Sequence, residues 1–106
     1  MNGTPIREVD VATAAAAVAA GAPLLDVRQP DEYDEIHAVG AQLIPLGELP
    51  DRLDEVPRDA TIHVICRSGA RSLKAAELLA SEGIEAVNVA GGTLAWVDAS
   101  LPSEQG

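Results

Sequence analysis

The sequence has little sulfur and aromatic content and few basic residues. Its 106 residues include one cysteine, one tryptophan, one tyrosine and no phenylalanine, and the net charge is −10. A single cysteine excludes an intramolecular disulfide, which favours a reducing, cytoplasmic setting. The acidity argues against binding to nucleic acid or to an anionic membrane surface. Because aromatic residues are scarce, the core must be built from valine, isoleucine, leucine and alanine.

An alanine-rich stretch covers residues 12–21. Glu8 and Asp10 precede it, where a secretory signal would carry positive charge, and the stretch is too short to span a bilayer. We expect an amphipathic or buried helix there, capped by Asp10 or Thr13 and ended by Gly21. No membrane segment is predicted.

The hydrophobic content of 47% suits one compact domain with its own core. We predict a single domain over residues 1–106, with its core at about 5–101 and a short polar C-terminal tail at 102–106. Short apolar runs predict strands at 6–9, 24–27, 43–44, 61–65 and 86–89. Helical patterns lie between or after them, at 12–21, 30–35, 46–55, 71–82 and from 92 onward. This alternation indicates an α/β fold with a mostly parallel sheet and helices on both faces.

Cys66 ends the apolar run 62–65 and precedes the loop 67–72, which leads into a predicted helix. A thiol placed there faces backbone N–H groups and the positive end of a helix dipole, and both favour the thiolate. At an unperturbed pKa of about 8.5, only about 3% of a thiol is ionised at pH 7, so a lower pKa makes it far more nucleophilic. We therefore interpret Cys66 as a nucleophile rather than as a small buried hydrophobic residue.

Three of the seven basic residues, Arg67, Arg71 and Lys74, lie within eight positions after Cys66. In a chain that is acidic overall, they form a local positive region. Such a region stabilises a thiolate and attracts small anions. A small anion is therefore the predicted substrate.

Asp26 and Arg28 stand at the C-terminal end of the strand at 24–27, where open α/β sheets place their sites. We interpret them as supporting residues that hold the loop behind the pocket through an ion pair or hydrogen bonds, in preference to direct substrate contact. His63 is expected to be a structural histidine with satisfied hydrogen bonds, and His37 has no assigned role. One cysteine and two distant histidines give no zinc-binding spacing, and neither a metal nor an organic cofactor is predicted.

Gly91-Gly92 lies between the last predicted strand and the last predicted helix. Without a following lysine and serine or threonine, this pair predicts a tight turn and not a phosphate-binding loop. Trp96, in the helix that follows, is expected to lie in the core or at the rim of the pocket.

Four short motifs follow one another along the chain. They are Leu24-Leu25-Asp26-Val27-Arg28-Gln29-Pro30-Asp31-Glu32-Tyr33; His37 with Gly40-Ala41 and Ile44-Pro45-Leu46; Cys66-Arg67-Ser68-Gly69-Ala70-Arg71-Ser72; and Gly91-Gly92-Thr93-Leu94-Ala95-Trp96. In order and spacing they resemble the motifs of the single-domain rhodanese family of sulfurtransferases, over nearly the whole chain. The resemblance implies a three-layer fold with a central five-stranded, mostly parallel sheet and helices on both faces.

In that family the loop cysteine takes a sulfane sulfur from a donor such as thiosulfate, becomes a persulfide and passes the sulfur to cyanide or a thiol. The resemblance implies that Cys66 is the persulfide carrier. Its partners would be a small anionic sulfur donor and a thiol or cyanide acceptor, with a sulfur-relay protein as a further partner. Loop N–H groups would surround the terminal sulfur, and the two arginines would orient the donor; the substrate-binding residues carried over are Arg67, Ser68, Gly69, Ala70, Arg71 and Ser72.

One position departs from the family pattern. Ile36 precedes His37 where the family usually has glycine, and Val39 stands where a small residue or proline is common. If that glycine serves a positive φ angle, isoleucine would be costly there, so we expect the local backbone to differ.

Two other functions stay open. Cysteine-based protein phosphatases also carry cysteine and arginine in a strand-to-helix loop, but they have five residues between the two, whereas four separate Cys66 from Arg71. They also have histidine where Ile65 stands. The second alternative is a non-catalytic rhodanese-like interaction module, although such modules typically lack the cysteine.

Overall fold

The computed structural model describes residues 5–106. Within this part of the chain, seven strands lie at Glu8–Val9 (β1), Leu24–Asp26 (β2), His37–Ala38 (β3), Ala41–Leu43 (β4), Ile62–Ile65 (β5), Ala86–Val89 (β6) and Ser103–Glu104 (β7). The α-helices are Val11–Ala19 (α1), Pro30–Glu35 (α2), Ala70–Ser81 (α3) and Gly92–Asp98 (α4). The single domain over residues 1–106 stays a prediction, and its first four residues lie outside the described part.

Five of these strands form one sheet in the order β1-β6-β5-β2-β4, and every neighbouring pair is parallel. Leu24 of β2 lies opposite Ala41 of β4 on one side and His63 of β5 on the other. Parallel neighbours need long crossover connections, which the helices supply. The predicted five-stranded parallel sheet is confirmed.

Helices cover both faces of this sheet, and each face has its own apolar cluster. Successive residues of a strand point to opposite faces. Val64 accordingly belongs to the cluster that contains Leu79 of α3, whereas Ile65 belongs to the cluster with Ala14 of α1 and Trp96 of α4. The predicted three-layer α/β architecture is confirmed, and Trp96 is a core residue, 2% exposed.

The alanine-rich helix α1 begins at the cap that its acidic residue supplies. Asp10 Oδ1 accepts a hydrogen bond from the Thr13 N–H at 2.8 Å, so Asp10 is the N-cap. After the helix, Gly21 adopts φ +107°, a conformation that favours glycine. Ala14 is completely buried, since a small side chain lets the helix approach the sheet closely. No helix among the described residues is long and apolar enough to cross a bilayer.

The segment 46–55, predicted as one helix from the spacing of its leucines, forms two short 3₁₀ helices instead. They span Leu46–Asp51 and Leu53–Glu55. Pro50 lies inside the first, and a proline cannot donate the N–H that an α-helix needs at that point. Leu49 is nevertheless fully buried, so the spacing predicted the buried face correctly and the helix type incorrectly.

The end of the chain, predicted as a polar tail, forms strand β7. It pairs antiparallel with β3 in a separate two-stranded sheet. His37 Nε2 lies 3.1 Å from Glu104 Oε1, and His37 Nδ1 lies 2.8 Å from the Tyr33 carbonyl oxygen. Trp96 Nε1 donates to the Pro102 carbonyl at 2.7 Å. These contacts tie the chain end to α2 and α4 and give His37 a structural role.

His63 departs from its predicted role in one respect. It is buried on β5, 7% exposed, and its backbone N–H donates to the Pro23 carbonyl at 3.0 Å. Its Nδ1, however, has no hydrogen-bond partner among the described residues, so the expected full satisfaction is wrong. Its neighbours across the sheet, Leu24 and Val87, are apolar and offer none. Burial lowers the pKa of His63, which favours the neutral imidazole.

Candidate active site

Cys66 lies directly after β5, at the carboxyl edge of the sheet. This strand is the middle one of five, so its end is bordered by the loops that follow β2 and β6. Helix α3 begins four residues later, at Ala70. The cysteine is almost fully buried, with 1% of its surface exposed. The predicted order of strand, thiol and helix N-terminus is therefore present.

The cysteine loop, residues 66–72, turns back so that two groups approach the sulfur. The Gly69 N–H donates to Cys66 Sγ at 3.1 Å, and the Ser72 hydroxyl lies 3.2 Å from the same atom. Gly69 has φ +123°, which a residue with a side chain rarely adopts. Ser72 belongs to the first turn of the twelve-residue helix α3, whose dipole places partial positive charge at this end.

The surroundings act on the thiol in two directions. Burial raises the pKa of Cys66, while hydrogen bonds from the Ser72 hydroxyl and from the backbone N–H groups of Ser72, Gly69 and Ser68 lower it. The net effect is a pKa below the ordinary value of a cysteine. A larger share of thiolate, the nucleophilic form, is therefore present at neutral pH.

Asn88 of β6 supports the loop from within the core. It is 1% exposed; its Nδ2 donates to the Gly69 carbonyl at 3.1 Å and to Glu8 Oε2 at 2.9 Å. Because both partners are acceptors, the amide is oriented with its oxygen toward Ser72, whose Oγ lies 2.6 Å away. This residue was not predicted as part of the site. The available signal was a single polar residue inside the apolar strand 86–89.

The start of α4 packs against the backbone of the cysteine loop. The N–H and the hydroxyl of Thr93 both donate to the Cys66 carbonyl, at 2.8 and 2.9 Å. A Cβ on Gly92 would lie 2.5 Å from the Arg67 carbonyl oxygen, and Gly92 has φ +59°, so glycine is required there. The predicted tight turn at Gly91-Gly92 is confirmed. Its contact with the cysteine loop was not predicted.

Asp26 and Arg28 form a buried ion pair at the carboxyl end of β2. Arg28 Nε donates to Asp26 Oδ1 at 3.0 Å and Nη2 donates to Oδ2 at 2.8 Å, and the two residues are 4% and 0% exposed. Nη2 also donates to the Ile36 carbonyl at 2.8 Å. The ion pair that was one of the two expected arrangements is therefore present, and the role of the pair in holding the loop stays a prediction.

Ile36, which stands where the family usually has glycine, shows no backbone strain. Its backbone is extended, with φ −167° and ψ 140°, which any residue adopts. The cost that a side chain would have at a positive φ therefore does not arise at Ile36. A difference from the backbone of the family at this point stays a prediction.

Arg71 is paired with a carboxylate from α2. Its Nη1 and Nη2 donate to Glu32 Oε1 and Oε2 at 2.7 and 2.8 Å. The hydrogen bonds from Arg71 lower the pKa of Glu32 to about 2, so the carboxylate stays charged. Glu32 Oε1 also accepts from the Gln29 N–H at 2.9 Å. Nothing in the sequence predicted this partner for Arg71, which keeps three of its five N–H groups for other contacts.

The other loop residues face outward. Arg67, Ser68 and Ala70 are exposed. Arg67 lines a pocket of about 300 Å³ beside the loop, together with the exposed apolar side chains of Leu94 and Val97. The predicted site residues thus divide into Gly69 and Ser72 at the sulfur, Arg71 in an ion pair, and three that are open to solvent. Within residues 5–106, no three or more histidine, cysteine and acidic side chains are grouped to bind a metal ion.

Comparisons with known proteins show the family and the fold of the chain. The family model of the rhodanese-like domain matches residues 10–99. "Thiosulfate sulfurtransferase 18" of Arabidopsis thaliana is 40% identical over 113 residues, covering 92% of this chain and 82% of that protein. "Putative sulfurtransferase YtwF" of Bacillus subtilis is 35% identical over 79 residues, covering 74% and 77%. The crystal structure of a rhodanese-related protein from Thermoplasma volcanium has a TM-score of 0.86 at 32% identity, over 92% of this chain and 97% of that one.

Some matched proteins are longer than the shared region. The chain spans 60% of the length of the Bacillus subtilis protein YqhL and 40% of "Putative sulfur carrier protein YrkF" from the same organism. It spans 16% of the chain in the crystal structure of Bacillus anthracis CoADR-RHD. In these proteins the likeness is confined to one part of the chain.

Proposed function

Because the chain belongs to the rhodanese-like family of sulfurtransferases, we propose that it moves a sulfane sulfur from thiosulfate or a related donor to a thiol or cyanide through a persulfide on Cys66. The observation that carries this proposal is the pair of polar groups, the Gly69 N–H and the Ser72 hydroxyl, within 3.2 Å of the sulfur. Hydrogen-bond donors placed around a sulfur stabilise the anion that forms there. Both the thiolate and the terminal sulfur of a persulfide are such anions.

In the first half of the reaction, the Cys66 thiolate attacks the outer sulfur of thiosulfate. A bond forms between the two sulfurs, the bond from the outer sulfur to the sulfonate breaks, and its electron pair leaves with sulfite. Arg67 is exposed at the loop and meets the anionic donor, while Arg71 contributes the N–H groups that Glu32 does not occupy. Cys66 is left as a persulfide.

In the second half, a thiolate or cyanide attacks the terminal sulfur of the persulfide. The sulfur–sulfur bond breaks and its electron pair returns to Cys66, which leaves as a thiolate. The lowered pKa of Cys66 makes it a better leaving group as well as a larger reservoir of nucleophile. The reaction is therefore ping-pong covalent catalysis.

We also propose a partner, a compartment and a domain organisation. The relatives include a protein named as a putative sulfur carrier, which supports a sulfur-relay protein as donor or acceptor. The free cysteine supports a reducing, cytoplasmic compartment. The continuous sheet with a cluster on each face supports a single domain with its core at about 5–101.

Mass spectrometry of the reduced protein after thiosulfate treatment tests the proposal. We expect one added sulfur on Cys66 and thiosulfate:cyanide turnover, both abolished in Cys66→Ser, because a hydroxyl cannot form the persulfide. Ser81→Ala, at the exposed end of α3, is the matched control and should keep both. Full turnover in Cys66→Ser would exclude the mechanism. A reduced protein that takes up no sulfur from thiosulfate or polysulfide would indicate an interaction module, and phosphate release from an aryl phosphate that depends on Cys66 would indicate a phosphatase.

A further inference from the structure

We propose that Asn88 is a positioning residue that sets the reactivity of Cys66 by holding the only proton of the Ser72 hydroxyl. The expected effect of Asn88 on turnover rests on the proposed function. The hydrogen bonding around Asn88 does not depend on that function. It assigns a role to a buried residue outside the loop, on the strand next to β5.

Two acceptors lie near the single proton of the Ser72 hydroxyl. Ser72 Oγ lies 2.6 Å from Asn88 Oδ1 and 3.2 Å from Cys66 Sγ. A hydroxyl has one proton, so it can donate to only one of these acceptors. Asn88 cannot rotate its amide to offer a donor instead, because its Nδ2 already serves Gly69 and Glu8. While the sulfur is a neutral thiol, the shorter distance assigns the proton to Asn88; a thiolate competes with Asn88 for it.

The thiol and the thiolate forms of Cys66 need different hydrogen bonds from Ser72. While the sulfur is a neutral thiol, its S–H can donate to Ser72 Oγ, which donates onward to Asn88, and every group is satisfied. Once the sulfur is a thiolate, it and the Asn88 oxygen both need the same proton. Either the thiolate loses the Ser72 hydrogen bond or a buried amide oxygen is left unpaired, and both outcomes disfavour ionisation.

Asn88 therefore opposes the loop N–H groups that favour the thiolate. A pKa of Cys66 that is not lowered too far favours sulfur transfer, because the intrinsic nucleophilicity of a thiolate falls as its pKa falls. A cysteine stabilised by every nearby donor would ionise readily and attack slowly. By withholding the Ser72 proton, Asn88 keeps the pKa of Cys66 from falling as far as the loop alone would lower it.

The other charged groups near the thiol come from every neighbouring element, and the variants below leave all of them in place. They are Glu8 of β1, the Asp26–Arg28 pair after β2, Glu32 of α2, Arg67 of the loop and Arg71 of α3.

The test is a double-mutant cycle on the pKa of Cys66. The proteins are the wild type, Asn88→Ala, Ser72→Ala and the double variant; the readouts are the pH dependence of alkylation by iodoacetamide and of the thiolate ultraviolet absorbance. We expect Asn88→Ala to free the Ser72 proton for the sulfur and to raise the thiolate fraction about tenfold on the acidic side of the pKa. In the Ser72→Ala background, the same substitution should have no effect, since no proton is left to release.

Two results would overturn the proposal. One is a pKa that rises or does not change in Asn88→Ala. The other is an equal shift with and without Ser72, which would mean that Asn88 acts only by holding the loop through Gly69. If Asn88→Ala does not fold, Asn88→Ser replaces it in the test. The serine removes the amide oxygen from Ser72 but keeps a polar group at this position. Ser81→Ala, at the exposed end of α3, leaves every one of these charges in place and is the control with an unchanged pKa. No sulfur donor is used, so failure of the proposed function would appear separately in the loading assay.

Discussion

The ends of β2 and β5 lie side by side at one edge of the sheet, yet they are built in opposite ways. The two strands are hydrogen-bonded neighbours. At the end of β2, a buried carboxylate meets a buried guanidinium, and Asp26 and Arg28 satisfy each other. After β5, a buried thiol meets neutral polar groups, the N–H of Gly69 and the hydroxyl of Ser72.

This difference shows why one position can carry chemistry and the other cannot. A buried ion pair is complete, and removing either partner leaves an unpaired charge in the core. Neutral donors tolerate a neutral thiol and also stabilise the anion that it becomes. Position at the carboxyl edge of the sheet is therefore not sufficient for a reactive group; its neighbours must be compatible with both of its charge states.

Asp26→Asn should produce the largest effect on stability. The substitution leaves the Arg28 charge buried without its counterion, and breaking a buried pair in this way typically costs about 3 to 5 kcal/mol. We expect a loss of that order in the free energy of unfolding, measured by urea denaturation. Alkylation of Cys66 in the remaining folded protein should be unchanged.

The matched control for this change is Asp34→Asn, the same chemical substitution at an exposed position of α2. It should leave the free energy of unfolding within about 0.5 kcal/mol of the wild type. If Asp26→Asn were to slow sulfur loading without loss of stability, the pair would belong to the reacting machinery and the contrast between the two strand ends would fail.

Gly92→Ala should disturb the cysteine loop that follows β5, with a smaller effect on stability than Asp26→Asn. The new Cβ would lie 2.5 Å from the Arg67 carbonyl oxygen, so the cysteine loop must move away from α4. We expect a loss of about 1 to 3 kcal/mol in the free energy of unfolding and slower sulfur loading, because the donors around the sulfur are displaced. Gly83→Ala is the control: its φ is also positive, +81°, but no atom lies within 4 Å of its Cβ position. Equal slowing of sulfur loading in both variants would show that the packing against α4 is not the reason.

The part of the site that sequence predicts well is the part that is local in the chain. The loop from Cys66 to Ser72 contains its own glycine, its own hydroxyl and the start of its own helix, so its residues and spacing determine which groups meet the sulfur. Asp26 and Arg28 are likewise two residues apart. The sheet follows from alternating apolar runs and helical patterns in the same way.

What the sequence does not predict is contact between residues far apart in the chain. Arg71 and Glu32 are 39 positions apart, and Ser72 and Asn88 are 16 apart. The pairing of β7 with β3 has no sequence signal either, because these two-residue strands lack any periodicity. Such contacts depend on how the helices dock, which no local pattern encodes.

The ion pair of Glu32 with Arg71 shares one feature with each of the two strand ends. It is an ion pair like that of Asp26 with Arg28, but it is partly exposed and lies beside the cysteine loop. Hydrogen bonds from Arg71 lower the pKa of Glu32 to about 2. A carboxylate with a lowered pKa in the folded state contributes stability above its unfolded pKa of about 4.3 and loses that contribution as the pH falls toward 2. In that interval the unfolded chain binds more protons, so the free energy of unfolding must increase with pH.

Glu32→Gln should therefore reduce the increase in the free energy of unfolding between about pH 2 and pH 4.5. The reduction should be only about 1 kcal/mol, because solvent screens a partly exposed pair. Urea denaturation across this range measures the slope, and Glu77→Gln, exposed on α3, is the control that should keep the slope of the wild type. Equal slopes for Glu32→Gln and the wild type would mean that the pair holds α2 to α3 without stabilising the fold. A loss in the free energy of unfolding as large as that of Asp26→Asn would mean that solvent exposure does not weaken the Glu32–Arg71 pair relative to the buried pair.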